Sequence, residues 1–197
     1  LSNEHVVLQR LVVPAGEWEG VHSHPGNQLY VHIKGGEWSG RLGGEVEYWG
    51  IPDEDGAVGW MDAIPVSAGH NSGNTGDAPI DLIYVTLKAD SPISPEVSEM
   101  PQALPQVKPE LLFENDRMIA QRIDLEPNQW TGQHSHGGNQ VIVHVSGGKW
   151  SERRENEPAP SNLHLAAGSV EWLEAGRSHD VGNSGNDAMH LVLVTLK

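Results

Sequence analysis

Histidine residues occur in this sequence at spacings that suit a metal ion. His22 and His24 are separated by one residue, Gln28 follows four positions later, and His70 stands alone further downstream. Residues i and i+2 of a β-strand project from the same face, so His22 and His24 can converge on one point. Imidazole nitrogens and amide oxygens both ligate divalent ions. The spacing predicts a metal site made of these four side chains.

The same set of residues occurs a second time, 109 to 112 positions later. The second set consists of His134, His136, Gln140 and His179. The match is not confined to the histidines, since Thr86-Leu87-Lys88 recurs as Thr195-Leu196-Lys197 at the end of the chain. A repeat that extends over most of a chain indicates a duplicated domain. We therefore expect up to two divalent ions per chain.

The elements that must position these ligands are short. The sequence contains 23 Gly and 13 Pro, and its apolar stretches are strand-sized and bounded by Gly, Asn and Pro, which favours an all-β fold. The predicted strands are Val6–Val13, Leu29–Ile33, Ile80–Leu87, Met118–Leu125, Val141–Val145 and Met189–Leu196. We expect a tight turn at residues 25–27, and surface loops at residues 48–56 and 152–162.

The repeat also sets the domain boundaries. We predict an N-terminal domain over residues 1–88, a linker over residues 89–112 and a C-terminal domain over residues 113–197. The linker interpretation rests on Pro92, Pro95, Pro101, Pro105 and Pro109, whose spacing disfavours both a helix and a central strand.

The two histidine motifs resemble those of the cupin superfamily. The first motif of that family is matched by Gly16, His22, His24, Gln28 and Gly35, with Gln28 where the family has Glu. The second motif is matched by Pro65, His70 and Asn74, and in the second copy by Gly176, His179 and Asn183. The resemblance covers nearly the whole chain. It implies a bicupin, in which two tandem jelly-roll β-barrels each hold a three-His, one-Gln metal site.

Glutamine in place of glutamate changes the chemistry expected of the metal. Three neutral imidazoles and an amide leave a divalent ion with its full charge, which favours Lewis acidity and an anionic substrate. We expect Mn or Fe, with Zn, Ni or Co as alternatives. The pattern is similar to manganese-dependent cupin hydroxynitrile lyases, and the three-His core is similar to iron cupins that cleave β-diketones.

Further polar residues are expected inside the barrels. Strand alternation that points Gln28 inward also points Tyr30 and His32 inward, and in the second copy it points His144 inward. These three residues are our candidate catalytic residues, since a neutral histidine can move a proton to or from a substrate. The alternative is that each histidine is a core residue bonded to a neighbouring side chain.

Tryptophans also recur at the fixed offset. They are Trp18, Trp38 and Trp60 in the first copy and Trp130, Trp150 and Trp172 in the second. Each can fill the core, or can form an aromatic wall of a ligand cavity.

Composition excludes several classes of function. Twelve basic against 27 acidic residues give a net charge of −15, which disfavours nucleic-acid or anionic-membrane partners. The sequence has no cysteine, so thiolate metal sites and cysteine nucleophiles are excluded. No apolar run is long enough for a membrane helix. We expect a cytoplasmic protein with a small-molecule partner, and a homodimer is compatible with the sequence.

Two hypotheses of function remain. The first is a metal-dependent enzyme acting on a small oxygen-rich anionic substrate by dioxygenase, C–C lyase or isomerase chemistry. The second is a non-catalytic metal-containing cupin that binds or senses a small ligand. The size of the cavity beside the metal discriminates between them, because catalysis requires room for a substrate.

Overall fold

The computed structural model describes residues 1–91, 102–154 and 161–197 and divides the chain into two compact units, Leu1–Pro92 and Ile93–Lys197. Within the described residues the regular structure is β-strand, apart from one 3₁₀ turn at Val66–Ala68. The same residues contain no helix that is long and apolar enough to cross a bilayer. The boundary between the units falls inside the linker predicted for residues 89–112.

The first unit consists of seven strands in two antiparallel sheets. The strands are β1 (Val6–Val13), β2 (His24–Lys34), β3 (Gly36–Leu42), β4 (Glu45–Asp53), β5 (Val58–Ile64), β6 (Asn71–Asn74) and β7 (Ile80–Leu87). One sheet has the order β1-β7-β2-β5 and the other has the order β4-β3-β6. Buried and half-buried residues alternate along much of β7, as expected for a strand with one face on a core.

The second unit has eight strands and repeats this topology. The strands are β8 (Glu110–Glu114), β9 (Met118–Leu125), β10 (Gln140–His144), β11 (Gly148–Arg154), β12 (Ser161–Leu165), β13 (Val170–Leu173), β14 (His179–Asn183) and β15 (Met189–Leu196). Its sheets have the orders β13-β10-β15-β9-β8 and β12-β11-β14. All five residues of β10 are buried, so this strand has protein on both faces.

The strands expected from the sequence are confirmed, four of them to the residue, namely β1, β7, β9 and β15. Two local expectations are wrong. Residues 48–53, expected in a loop, belong to β4, which pairs with β3. Residues 25–27 do not reverse the chain but form a bulge within β2, with Gly26 and Asn27 at positive φ. The expected loop at residues 152–162 lies partly outside the described residues, and Glu152 and Ser161 are in strands.

The end of the predicted linker belongs to the second unit. Leu104 is 8% exposed and joins the core cluster of that unit, and Val107 packs against the same cluster. The backbone N–H and C=O of Gln102 both bond to the side chain of Gln121. Pro92, Pro95 and Pro101 lie outside the described residues, residues 102–109 are in neither helix nor strand, and residues 110–112 belong to β8. The proline spacing does not show that residues of this segment pack against the second unit.

Candidate metal centre

Three histidines of the first unit face one another across a small gap. His24 begins β2, and His22 forms a backbone bridge with His70, just before β6. The three pairs of ring centroids are 4.8, 4.9 and 5.1 Å apart. One ligand nitrogen from each ring lies within 4.8 Å of the other two. The structure therefore brings together three of the four residues predicted to bind metal in this unit.

Hydrogen bonds fix the orientation of two of these rings. His22 donates Nδ1–H to the carbonyl of Gly20 over 2.9 Å, and His24 donates Nδ1–H to Oε1 of Gln28 over 2.8 Å. A neutral imidazole that donates through Nδ1 keeps a lone pair on Nε2. The two Nε2 atoms are 3.0 Å apart. Two metal-ligating lone pairs are thus directed into the same gap.

Gln28 occupies a different place from the one expected. Its Oε1 accepts the hydrogen bond from His24, and its Nε2 donates to Oγ1 of Thr86 over 2.7 Å. The amide is therefore behind the ring of His24 and holds it in place. Such partners of a ligating histidine fix its tautomer and orientation without touching the metal.

His70 shows that the gap suits a cation. It is buried, and both its ring nitrogens lack a hydrogen-bond partner among the described residues. Burial, followed by repulsion from His22 and His24, lowers the pKa of His70. The ring is therefore kept in the neutral form that binds metal. A divalent ion would satisfy a buried nitrogen that is otherwise costly to leave unpaired.

Glu19 is a residue of this site that the sequence analysis missed. Its Oε2 lies 3.3 Å from Nε2 of His22 and accepts a hydrogen bond of 2.9 Å from the hydroxyl of Ser72. The sequence repeat does not include it, because the second copy has Thr131 at this position. In the sequence, the sign that Glu19 could belong to the site was its position three residues before His22.

A cavity of about 470 Å³ opens beside the first-unit histidines. Both His24 and His70 line it, together with the aromatic residues Tyr30, Trp38, Tyr48, Trp60 and Tyr84. A second cavity, of about 610 Å³, shares His24 and Tyr84 with the first and is lined by Glu19, by residues 9–13 of β1 and by Pro14. The first unit therefore has room for a small-molecule ligand next to its histidines.

The candidate catalytic residues of the first unit line the 470 Å³ cavity. His32 is fully buried, and its Nε2 is 3.2 Å from Oδ2 of Asp53. Its ring centroid is 5.5 Å from that of Tyr30.

Burial, followed by the charge of Asp53, raises the pKa of Tyr30. Burial also raises the pKa of Tyr48, to about 12. These tyrosines therefore stay protonated and able to donate hydrogen bonds.

The second unit keeps its histidines but arranges them less compactly. Nε2 of His134 and Nε2 of His179 are 3.2 Å apart, and the rings of His136 and His179 have centroids 5.3 Å apart. Each ring uses Nδ1 for an acceptor, namely Gly132 O, Gly138 O and Glu152 Oε1. Within the described residues, however, only the first-unit triad places three ligand atoms within 4.8 Å of one another.

The remaining predicted residues of the second unit are held by neighbours. Gln140 donates to Oε1 of Gln102 and to Oγ1 of Thr195. His144 is fully buried, and its Nε2 is hydrogen-bonded to Glu171 over 2.7 Å. For His144, the structure matches the alternative of a core histidine bonded to a neighbouring side chain.

Among its described residues, the second unit has little open space beside its histidines. The cavity beside His134 and His179 measures about 20 Å³, room for about one water molecule. Leu104 lines this cavity. Apolar side chains stand where the first unit has polar cavity-lining groups: Ile142 corresponds to Tyr30, Leu193 to Tyr84 and Val181 to Ser72. The duplicated barrels have diverged into one open and one packed interior.

The tryptophans divide between the two interpretations considered. Trp60 lines the 470 Å³ cavity, Trp38 both lines it and belongs to the first-unit core cluster, and Trp150 is part of the core cluster of the second unit. Trp18 lines the 610 Å³ cavity. A guanidinium group lies over the rings of Trp18 and Trp130, at 4.3 Å and 3.5 Å from the ring centroids.

Comparison with models of protein families gives no match, and no curated protein sequence matches either. Solved structures do match. AerE from Microcystis aeruginosa is 16% identical, with a TM-score of 0.68 over 99% of this chain and 94% of that one. A formate complex of Lactobacillus farciminis oxalate decarboxylase is 12% identical, with a TM-score of 0.65 over 98% and 77%.

A cupin 2 conserved barrel domain protein from Leptotrichia buccalis is 14% identical, with a TM-score of 0.57 over 100% of this chain and 86% of that one. Identities this low carry information about the fold and not about the reaction. The match runs over both units of this chain, and both have the jelly-roll sheets expected from the histidine motifs. The chain therefore has the fold of the cupin proteins, present twice.

Proposed function

We propose that the protein is a metal-dependent enzyme whose active site lies in the first unit. The observation that carries this proposal is the cavity of about 470 Å³ that opens directly beside His24 and His70. A metal site used for catalysis needs an open position facing a pocket, whereas a structural site is closed. The cavity beside His134 and His179 measures about 20 Å³ and admits no substrate, so we assign the reaction to the first unit and a structural role to the described part of the second.

The residues present fit a divalent ion. His22, His24 and His70 would hold it, with Gln28 fixing the ring of His24. Mn and Fe remain the favoured ions, with Zn, Ni and Co as alternatives, because three imidazoles accept all of them. When bound, the ion would act as a Lewis acid toward an oxygen of the substrate.

The lining of the cavity limits the class of substrate. Glu47, Asp53 and Asp62 line it, and no Lys or Arg does so among the described residues. A substrate with several negative charges would be repelled by this wall. The aromatic side chains instead favour a flat body with one ionised oxygen, such as an enolate or a diphenol. Tyr30 and Tyr48, kept protonated, would donate hydrogen bonds to its other oxygens.

His32 would hold or move a proton within the cavity. Its ring is buried, and its Nε2 lies 3.2 Å from Oδ2 of Asp53, so the ring is within reach of a proton acceptor on the cavity wall. A C–C lyase or an isomerase needs such a group to supply or accept a proton, and a dioxygenase needs one when its substrate arrives as the neutral diphenol or diketone.

A screen of the metal-loaded protein tests this proposal. Full-length protein is loaded separately with Mn²⁺, Fe²⁺ and Zn²⁺ and offered diphenols, β-diketones and hydroxy acids. Turnover should appear with one metal, should be lost in His24→Ala and should persist in His136→Ala, its counterpart in the second unit. Binding without turnover of any compound would favour the alternative of a ligand-binding or sensing protein. Equal loss of activity in both variants would contradict the assignment to the first unit.

A further inference from the structure

Three hydrogen-bond acceptors converge in the first unit. Nε2 of His22 lies 3.0 Å from Nε2 of His24 and 3.3 Å from Oε2 of Glu19. Both Nε2 atoms carry lone pairs, because both rings donate through Nδ1. Two lone pairs and a carboxylate oxygen repel one another at these distances unless a cation lies among them. The carboxylate is therefore part of the group that faces the gap.

Among the described residues, one carboxylate oxygen of Glu19 accepts a hydrogen bond and the other does not. Its backbone N–H bonds to the carbonyl of Ser72, and the hydroxyl of Ser72 donates to its Oε2. The side chain is 12% exposed, and Oε1 is buried without a hydrogen-bond partner among the described residues. A largely buried carboxylate with one oxygen unpartnered is unfavourable unless a positive charge compensates it.

The second unit lacks this arrangement. Thr131 replaces Glu19 and donates its hydroxyl to the backbone carbonyl of Val181, the residue that replaces Ser72. The pair of carboxylate and hydroxyl is therefore specific to the unit with the open cavity. Gln28 cannot take the place of Glu19, because its amide oxygen accepts a hydrogen bond from His24 and its amide nitrogen donates one to Thr86.

We propose that Glu19 supplies an anionic oxygen ligand to the metal ion held by His22, His24 and His70. This inference rests on the proposed function, since it requires that the triad binds metal. It changes the charge expected of the site, because one carboxylate leaves a divalent ion with a net charge of +1 rather than +2. It also favours harder ions such as Mn²⁺, which prefer carboxylate ligands, over Zn²⁺, which imidazole alone suits well.

Metal titration of full-length variants tests the inference. Mn²⁺ and Zn²⁺ are titrated calorimetrically into metal-free wild type, Glu19→Gln, Glu19→Thr and the control Glu17→Gln, which removes one exposed charge from the same loop. The first-unit binding event is identified as the one that His24→Ala removes. Glu19→Thr introduces the residue that the duplicated fold already carries, which guards against a variant that fails to fold.

Both Glu19 variants should bind Mn²⁺ at least about tenfold more weakly, with a smaller loss for Zn²⁺. Glu17→Gln should behave as wild type. Equal losses for the two ions would assign Glu19 to positioning His22 and would overturn the ligand role, as would unchanged affinity for both ions. Wild-type protein that binds neither ion at the triad would instead refute the proposed function itself.

Discussion

Replacement of Leu104 by alanine tests whether the segment before β8 is part of the second barrel. Leu104 is 8% exposed and packs with residues that line the small cavity, among them Ile123 and Leu193. Removing a nearly buried leucine side chain loses about 2 kcal/mol of transfer free energy. The cavity left behind adds to this cost, so Leu104→Ala should destabilise the second unit by about 3 kcal/mol.

Urea unfolding followed by circular dichroism measures this change. The transition of the second unit should move to lower urea concentration with an unchanged slope, because the packing of the unit changes but its size does not. Leu111→Ala is the matched control, since Leu111 is nearby in β8 and 48% exposed. It should cost less than about 1 kcal/mol. If the two variants cost the same, residues 102–109 would be a linker and the second interior would not depend on them.

Three further predictions concern the two sites. His32→Gln should lower turnover by about 10²-fold with metal content unchanged. His144→Gln should leave turnover unchanged, because the His144 ring is buried and bonded to Glu171 and the cavity beside the second-unit histidines admits no substrate. Gly59→Ala should lower turnover by about 10²-fold without loss of metal, because the added Cβ would lie 2.1 Å from the Tyr30 ring, which must then move. Burial, and then repulsion between the histidines, lowers the pKa of His179 to about 4. Between pH 4 and 6.5, the ordinary pKa of histidine, the unfolded chain therefore binds more protons than the folded one. The metal-free second unit should melt at a lower temperature as the pH falls through that window. His179→Gln should make the melting temperature less dependent on pH.

The positions of the histidines could be predicted from spacing because they depend on strand alternation and on the repeat. His22 and His24 lie two residues apart at the start of a strand, so local geometry alone brings them together. His70 follows from the recurrence of the same histidine in the second copy. These features depend on short-range structure or on self-similarity, both of which are readable in one sequence.

Residues whose roles depend on distant partners could not be assigned in this way. Gln28 turns away from the gap because Thr86, on a neighbouring strand, accepts from its amide. Glu19 joins the site through Ser72, which is 53 residues away. Leu104 packs in the core of the second unit, although the prolines around it predict a linker. Spacing in the sequence predicts which residues could belong to the site, and tertiary packing determines which of them face it.

The proposed function requires that a metal ion binds among the three histidines of the first unit, beside the open cavity. A crystal structure of Mn²⁺-loaded full-length protein, with anomalous diffraction collected on both sides of the Mn absorption edge, locates this ion. An anomalous peak is expected between Nε2 of His22, Nε2 of His24 and a ring nitrogen of His70. Fully loaded protein with no peak at that place would contradict the proposed function, wherever else the metal was found.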